Sequence, residues 1–305
     1  PASAGCGPGL FRVGGSSSQK KAAAGSASSR HTIKAESTPD LLRAKISGPR
    51  NVKCVQHVRY NPELARYEGL DASSFSANQQ YGVPFASVPK IRVDGYAQRI
   101  PAILIMLWKR VLESGGEKAV GIFRLAADKV VMETLKRQMN TGQYNGESVE
   151  ENVAATLIKI WFRELPTNIL NIVDKSLLDR VAGMGVGTLA DGASMDEQRA
   201  EAAKVVSVVE DGFIQQHKEQ EFASFLWLLD VMGQVVAHKA ENKMSTKNMA
   251  IVVAPNLYSI ADVSNPMAAM TWTSRIAQFT EVILESRMLL NDVAAATKAG
   301  SADGM

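Results

Sequence analysis

Val153-Ala-Ala-Thr-Leu-Ile-Lys-Ile-Trp-Phe-Arg-Glu-Leu165 decides the reading of this 305-residue chain. The run is apolar over most of its circumference and stops at Pro166, whose ring cannot continue a helix. Ser148-x-x-Glu151 stands in front of it with capping-box spacing. An apolar run this long reads as a buried helix rather than a strand. Lys159 and Arg163 interrupt it at i,i+4 and therefore share one face. Two cations there form a solvated stripe or face an anion or acceptor, and spacing alone leaves both readings open.

Working outward, the chain keeps the same character. Ile100 to Glu113 is strongly apolar, with Pro101 placed to be its first helical residue and Gly115-Gly116 after its end. Asp128 to Met139 is amphipathic and stops near Gly142. Further helices are expected at about 173–183, 196–217, 221–239, 246–254 and 267–290. The fold class is therefore all-α, a helical bundle of roughly 200 residues. In front of it, Pro49, Pro62, Pro84, Pro89 and Pro101 break any long helix. Val52 to Tyr60 alternates in part, with Val52, Val58 and Tyr60 on one face and Lys53, His57 and Arg59 on the other, the pattern of an exposed extended segment.

Composition excludes several classes. Hydrophobic residues make up 46% of the chain, enough for a sizeable core. Cys6 and Cys54 are the only cysteines, too few for a disulfide framework or a thiolate zinc site, and the pair fits a reducing compartment. No run approaches about 18 apolar residues, so no integral membrane segment is expected. The net charge of +3 is concentrated in residues 1–30, where Arg12, Lys20, Lys21 and Arg30 stand without an acid; the remaining 30 basic residues face 31 acidic ones. A near-neutral globular part argues against a nucleic-acid partner. Residues 1–38, rich in Ser, Ala and Gly, read as a disordered tail, and their acid-poor composition also suits an organelle transit peptide. The expected organisation is a disordered tail over 1–40, an extended module over 41–75, the helical domain over 80–292 and a disordered C-terminus over 293–305.

Three further stretches hold candidate site residues. In Gly121-Ile-Phe-Arg-Leu125, apolar anchors surround Arg124, which is either a rigidly held outward-pointing guanidinium or a surface arginine beside a buried phenylalanine. Ser245 or Thr246 is a helix N-cap that places Asn248 in the first turn, where capping is one role open to it. Pro255-Asn256 closes that helix. His31, His57, His217 and His238 lack ligand spacing, so no metal is expected. No phosphate-binding G-x-x-x-x-G-K-[ST] loop and no G-x-S-x-G elbow occurs, which argues against nucleotide binding by the chain itself and against serine hydrolase chemistry.

Taken together, Tyr81-Gly-Val-Pro84, Val120-Gly-Ile-Phe-Arg-Leu125, Leu157-Ile-Lys-Ile-Trp-Phe-Arg-Glu-Leu-Pro166 and Asn242-Lys-Met-Ser-Thr-Lys-Asn-Met-Ala-Ile-Val-Val-Ala-Pro-Asn-Leu257 resemble the Rho-type GTPase-activating domain, in the family's order, over roughly residues 80–292. Upstream, Ile46-Ser-Gly-Pro49, Val52 and His57-Val58 are similar to a CRIB motif, a short GTPase-binding element. Cys54 stands where that motif has its first histidine, and Asn61 where it has an aspartate. A CRIB element directly before such a domain resembles the plant Rop GTPase-activating proteins, as does Asn265-Pro-Met-Ala-Ala-Met270.

The resemblance implies the roles. Arg124 is the arginine finger supplied in trans to a GTP-bound Rho-family (Rop/Rac-like) small GTPase. Arg163 holds its loop through backbone carbonyls, Lys159 shapes the face, and Asn248 contacts the partner's switch segment. Asn256 and Pro266 are further candidates. Magnesium, GTP and the attacking water belong to the partner, so the chain needs no cofactor and acts as an activator in signal transduction rather than a hydrolase itself. The alternative is a non-catalytic GTPase-binding scaffold. Location is expected to be cytoplasmic, with recruitment to the plasma membrane through the GTPase. Residues 41–75 should be separable: their deletion weakens apparent affinity and spares the rate at saturation.

Overall fold

A computed structural model describes residues 57–70, 77–185, 187, 189, 192–260 and 266–302, the stretch from 293 onward by its backbone. Ile46, Ser47, Pro49 and Val52 lie outside the described residues. The described residues fall within one compact unit, Cys54–Met305.

Two short antiparallel ribbons precede the helices. Strands β1 (Arg59–Asn61) and β2 (Arg66–Glu68) form the first, with Tyr60 opposite Tyr67. Strands β3 (Lys90–Ile91) and β4 (Ile100–Pro101) form the second. Then follow α1 (Ala102–Glu113), α2 (Lys129–Asn140), α3 (Glu151–Arg163), α4 (Lys175–Val181), α5 (Met195–Ile214), α6 (Glu219–Ala237), α7 (Lys239–Asn242), α8 (Thr246–Val253) and α9 (Pro266–Ala302). Pro101 belongs to β4 and α1 starts one residue later than its sequence suggests, because Ile100 and Pro101 pair with β3.

The apolar run behaves as its composition dictates. Along α3, Val153, Ala154, Ala155, Leu157, Ile158, Ile160, Trp161 and Phe162 are all buried. Beyond Glu151 at its start, what remains is one stripe, Asn152, Thr156, Lys159 and Arg163, at the spacing of a single helix face. Helix α3 packs on α1 and α2, and α9 runs along α4, α5, α6 and α8. Trp161 meets Phe162 edge-on at 5.0 Å, and Phe225 stacks with Phe213 and Phe279, joining α5, α6 and α9. Gly116 sits so close to α3 that a Cβ there would lie 2.4 Å from the Cβ of Glu151.

Three sequence expectations change. Ser148 caps nothing: α3 begins after Glu150, which makes no side-chain cap bond. Val149 is buried and anchors the entry instead. A capping box exists elsewhere, at the start of α5, where Ser194 and Glu197 bond reciprocally. The last helix runs to Ala302, well past the 292 boundary expected for the domain.

The third change concerns the extended module. Residues 57–70 form a hairpin docked on the helical domain. Ala65 is buried with φ +49°, and the Arg66 guanidinium donates to the Gly142 and Tyr144 carbonyls at 2.9 and 2.7 Å. The Gln80 amide donates to the Ala65 carbonyl at 2.9 Å, and the Tyr67 N–H donates to Asn78 at 2.6 Å. Asn61 accepts from the Glu63 and Leu64 N–H groups and donates to Glu68, closing the turn. The chain therefore belongs with the helical domain from the hairpin onward, inside the stretch expected as an independent module. Deleting residues 57–70 strips these bonds and about 2–4 kcal/mol, which lowers Tm by roughly 10 °C. Thermal melts of the deletion beside the full chain check this, and equal Tm values would contradict the docked hairpin.

Candidate functional site

The loop between α1 and α2 holds Arg124 and is braced from three sides. Its own turns come first: Gly121, at φ +74°, accepts at its carbonyl from the Arg124 and Leu125 N–H groups, both at 2.9 Å. Ile122 and Phe123 are buried and pin the loop to the core. Phe123 itself has φ +65°, a conformation that bulky residues rarely adopt and that costs on the order of 1–3 kcal/mol. That cost is borne at the residue directly before Arg124. At the far end, Asp128 caps α2 by accepting from Val130 and Val131 N–H groups.

The second brace is α3. The Lys159 ammonium donates to the Phe123 carbonyl. The Phe123–Arg124 peptide is thus held at both ends, its C=O by Lys159 and its N–H by Gly121. Burial first, and the neighbouring Arg163 charge second, pull the Lys159 ammonium down from its ordinary range to about 8. Arg163 is exposed, and its guanidinium has no hydrogen-bond partner among the described residues; its backbone carbonyl accepts from Asn168 at 3.2 Å. Loop-holding, which the resemblance assigns to Arg163, thus falls in this geometry to Lys159, because the side chain one turn nearer the N-terminus lies against the loop.

The third brace comes from α7. Asn242 is fully buried, its carbonyl accepts from Gly121 N–H at 2.8 Å, and its amide donates to the Glu117 carbonyl at 2.8 Å. In the sequence Asn242 heads one of the runs that carry the family resemblance, but no role was assigned to it there, because spacing does not show which distant loop it meets.

The remaining candidates serve the fold visibly. Asn248 N–H is capped by Ser245, and its amide donates to the Lys243 carbonyl at 3.1 Å, supporting a residue at φ +63°. Asn256 donates to the Val252 and Val253 carbonyls and closes α8. Pro266 is exposed as the first residue of α9. His57 and Val58 are exposed just before β1. Glu164 pairs with Lys136 of α2 at 2.5 Å.

Arg124 is exposed, and its guanidinium has no ion pair or hydrogen bond among the described residues. Around it Val120 (60%), Leu125 (48%) and Val130 (75%) expose large apolar side chains within one short stretch of chain. A free guanidinium on a rigid loop beside exposed apolar residues suits contact with a second macromolecule. Among the described residues, no helix is long and apolar enough to cross a membrane, and no group of three His, Cys, Asp or Glu side chains is placed to hold a metal ion.

Fold and loop together define a helical domain that presents one arginine on a braced turn. The RhoGAP domain model matches residues 101–262, more than half of the chain, and the chain belongs to that family. It is 29% identical over 211 residues to Rho GTPase-activating protein gacA of Dictyostelium discoideum, covering 69% of this chain and 54% of that protein. It is 27% identical over 262 residues to Rho GTPase-activating protein 1 of Arabidopsis thaliana, covering 82% of this chain and 49% of that protein. The chain thus spans about half the length of these curated relatives. In fold it is similar to the crystal structure of human Rho GTPase activating protein 15, with a TM-score of 0.50 at 17% identity over 73% of this chain and 96% of that one.

Proposed function

We propose that this chain stimulates GTP hydrolysis by a Rho-family small GTPase of the Rop/Rac-like type by inserting Arg124 in trans. The observation that carries the reading is the Arg124 loop, unpaired at its tip and held on both sides of one peptide plane. Hydrolysis develops negative charge around the transferring phosphoryl group. A planar guanidinium bridges phosphate oxygens in a way that an ammonium point charge does not. A preorganised loop avoids reorganisation during the reaction, which is where such stabilisation gains its strength. GTP, magnesium and the attacking water are the partner's, so the chain acts as a regulator of another enzyme. Exposed Val120, Leu125 and Val130 supply apolar contact, and Lys159, Arg163 and Asn248 take the supporting roles that the family resemblance implies. Residues 46–58 would add a second contact by pairing with a sheet edge of the GTPase. Single-turnover GTP hydrolysis by a Rop-type GTPase, with and without the chain, tests the proposal. Strong acceleration supports it; GTP-dependent binding without acceleration makes the chain a scaffold.

The buried ammonium of Lys159 adds a pH signature. It loses its proton at about 8, whereas in an unfolded chain it keeps it to the ordinary lysine range. Above about pH 8 the unfolded chain therefore binds more protons at this site, so its contribution to stability rises with pH. Activity should move the other way, because the neutral amine makes a weaker bond to the Phe123 carbonyl than the ammonium does. The expected result is a fall of about tenfold in kcat/KM between pH 7 and 9. Lys159→Arg, which stays charged, should lack that inflection. An identical profile in both proteins would assign the pH dependence to the GTPase.

A further inference from the structure

We infer that Asn242 is a positioning residue for the Arg124 loop, setting the finger's register through direct bonds to the chain that leads into it. The inference rests on the activator reading above. Asn242 makes five hydrogen bonds while wholly buried. Its N–H donates to His238 O at 3.0 Å, and its carbonyl accepts from Gly121 N–H at 2.8 Å. Its side-chain amide donates to Val235 O at 2.7 Å and Glu117 O at 2.8 Å. Its side-chain oxygen accepts from Met244 N–H at 2.8 Å.

Every polar atom of the residue is therefore used, and the partners come from three places. Val235 belongs to the last turn of α6 and His238 to the junction with α7, Met244 to the turn before α8, and Glu117 with Gly121 to the loop before Arg124. Gly121 in turn accepts at its carbonyl from Arg124 N–H at 2.9 Å. Two hydrogen bonds thus connect Asn242 to the backbone of the finger. Lys159 holds the Phe123 carbonyl of the same peptide from α3, so two separate elements clamp the loop. Neither clamp alone fixes both position and tilt. A buried hub whose every polar atom is bonded favours one arrangement, since each broken bond strands a buried group. A capping role for the α6–α7 junction alone would use Val235 and Met244; the bonds to Glu117 and Gly121 are what such a role does not need.

Asn242→Asp separates the two. The substitution keeps the oxygen that faces Met244 and turns the amide nitrogen into an oxygen aimed at two carbonyls. The loop should then shift by a fraction of an ångström to about an ångström, and displacements of that size cost up to about 10²-fold in rate. The experiment measures single-turnover hydrolysis at saturating activator, together with affinity for the GTPase carrying a non-hydrolysable GTP analogue and carrying GDP–aluminium fluoride. Expected are a 10- to 100-fold lower saturating rate, ground-state affinity within threefold of wild type, and transition-state-analogue affinity reduced in step with the rate. A saturating rate within twofold of wild type, or equal losses of both affinities, would overturn the inference, since partial unfolding removes active protein and leaves the rate at saturation untouched.

Should the variant fail to fold, amide exchange in the wild-type chain decides. Gly121, Arg124 and Met244 N–H groups should exchange with matched protection, opening as one unit. Fast exchange at Gly121 beside a protected Met244 would show that the hub does not hold the finger loop. Absence of any wild-type stimulation would fail the activator reading and leave the exchange result standing.

Discussion

Replacing Arg124 with alanine is expected to remove nearly all stimulation of GTP hydrolysis, a loss of about 10³- to 10⁵-fold in the single-turnover rate, while affinity for the GTP-bound partner stays within a few-fold. A finger of this kind supplies roughly 4–7 kcal/mol of transition-state stabilisation. The structure gives a reason for the split between rate and binding. The guanidinium has no hydrogen bond or ion pair among the described residues, so its removal disturbs no bond there. Phe123 and Ile122 still anchor the loop, and Lys159 still holds the Phe123 carbonyl. Val120, Leu125 and Val130 keep their exposed apolar surface. Arg124→Lys should recover only a small part of the rate, because an ammonium reaches one oxygen where the guanidinium reaches two. A rate retained in Arg124→Ala would mean that the partner catalyses unaided and that the domain acts by ordering it.

The second large effect is on stability and lies away from the loop. Asp230 of α6 accepts from Tyr96 Oη at 2.6 Å, from Arg287 Nε and Nη2 at 2.8 and 2.9 Å, and from Asn291 at 2.7 Å. The Arg287–Asp230 pair is mostly buried, with side-chain exposures of 20% and 14%. Burial first and the bond to Asp230 second raise the Tyr96 phenol, so it stays a donor throughout the neutral range. Asp230→Ala strands the Arg287 charge and the Tyr96 and Asn291 donors together. Breaking one side of a buried pair costs about 3–5 kcal/mol. For a domain of this size, Tm should fall by roughly 10 °C. Stimulation of hydrolysis well below the new Tm should be unchanged, since none of these groups touches the Arg124 loop. Calorimetry and the hydrolysis assay on one preparation test both halves. An unchanged Tm would show that the network contributes nothing net.

The helical fold was legible because α3 writes its burial pattern directly into residue type. A run broken only at Asn152, Thr156, Lys159, Arg163 and Glu164 leaves one polar stripe, and helical geometry then puts Lys159 beside Arg163. Arg124 was legible as a candidate from its apolar neighbours and from the family resemblance. The capping box at Ser148 was misleading because the same four-residue pattern also precedes a helix that starts later, with buried Val149 guiding the chain. Val52 to Tyr60 reads as an exposed extended segment, and its end turns out to be paired, because alternation cannot tell a strand that awaits a partner from one already paired with residues a turn away.

Elementary chemistry along the chain therefore determined the helices and the polar stripe of α3, and motif resemblance marked Arg124 and pointed to the family. Tertiary structure alone decided which side chain reaches the Phe123 carbonyl, that Asn242 meets Gly121 across more than a hundred residues of sequence, and that the hairpin belongs to the domain. The reason is physical. Periodicity reports which face of an element meets the core, a property of local repeat. Hydrogen bonds between distant loops depend on how whole elements are placed, and a single buried asparagine leaves no periodic trace of the partners it finds.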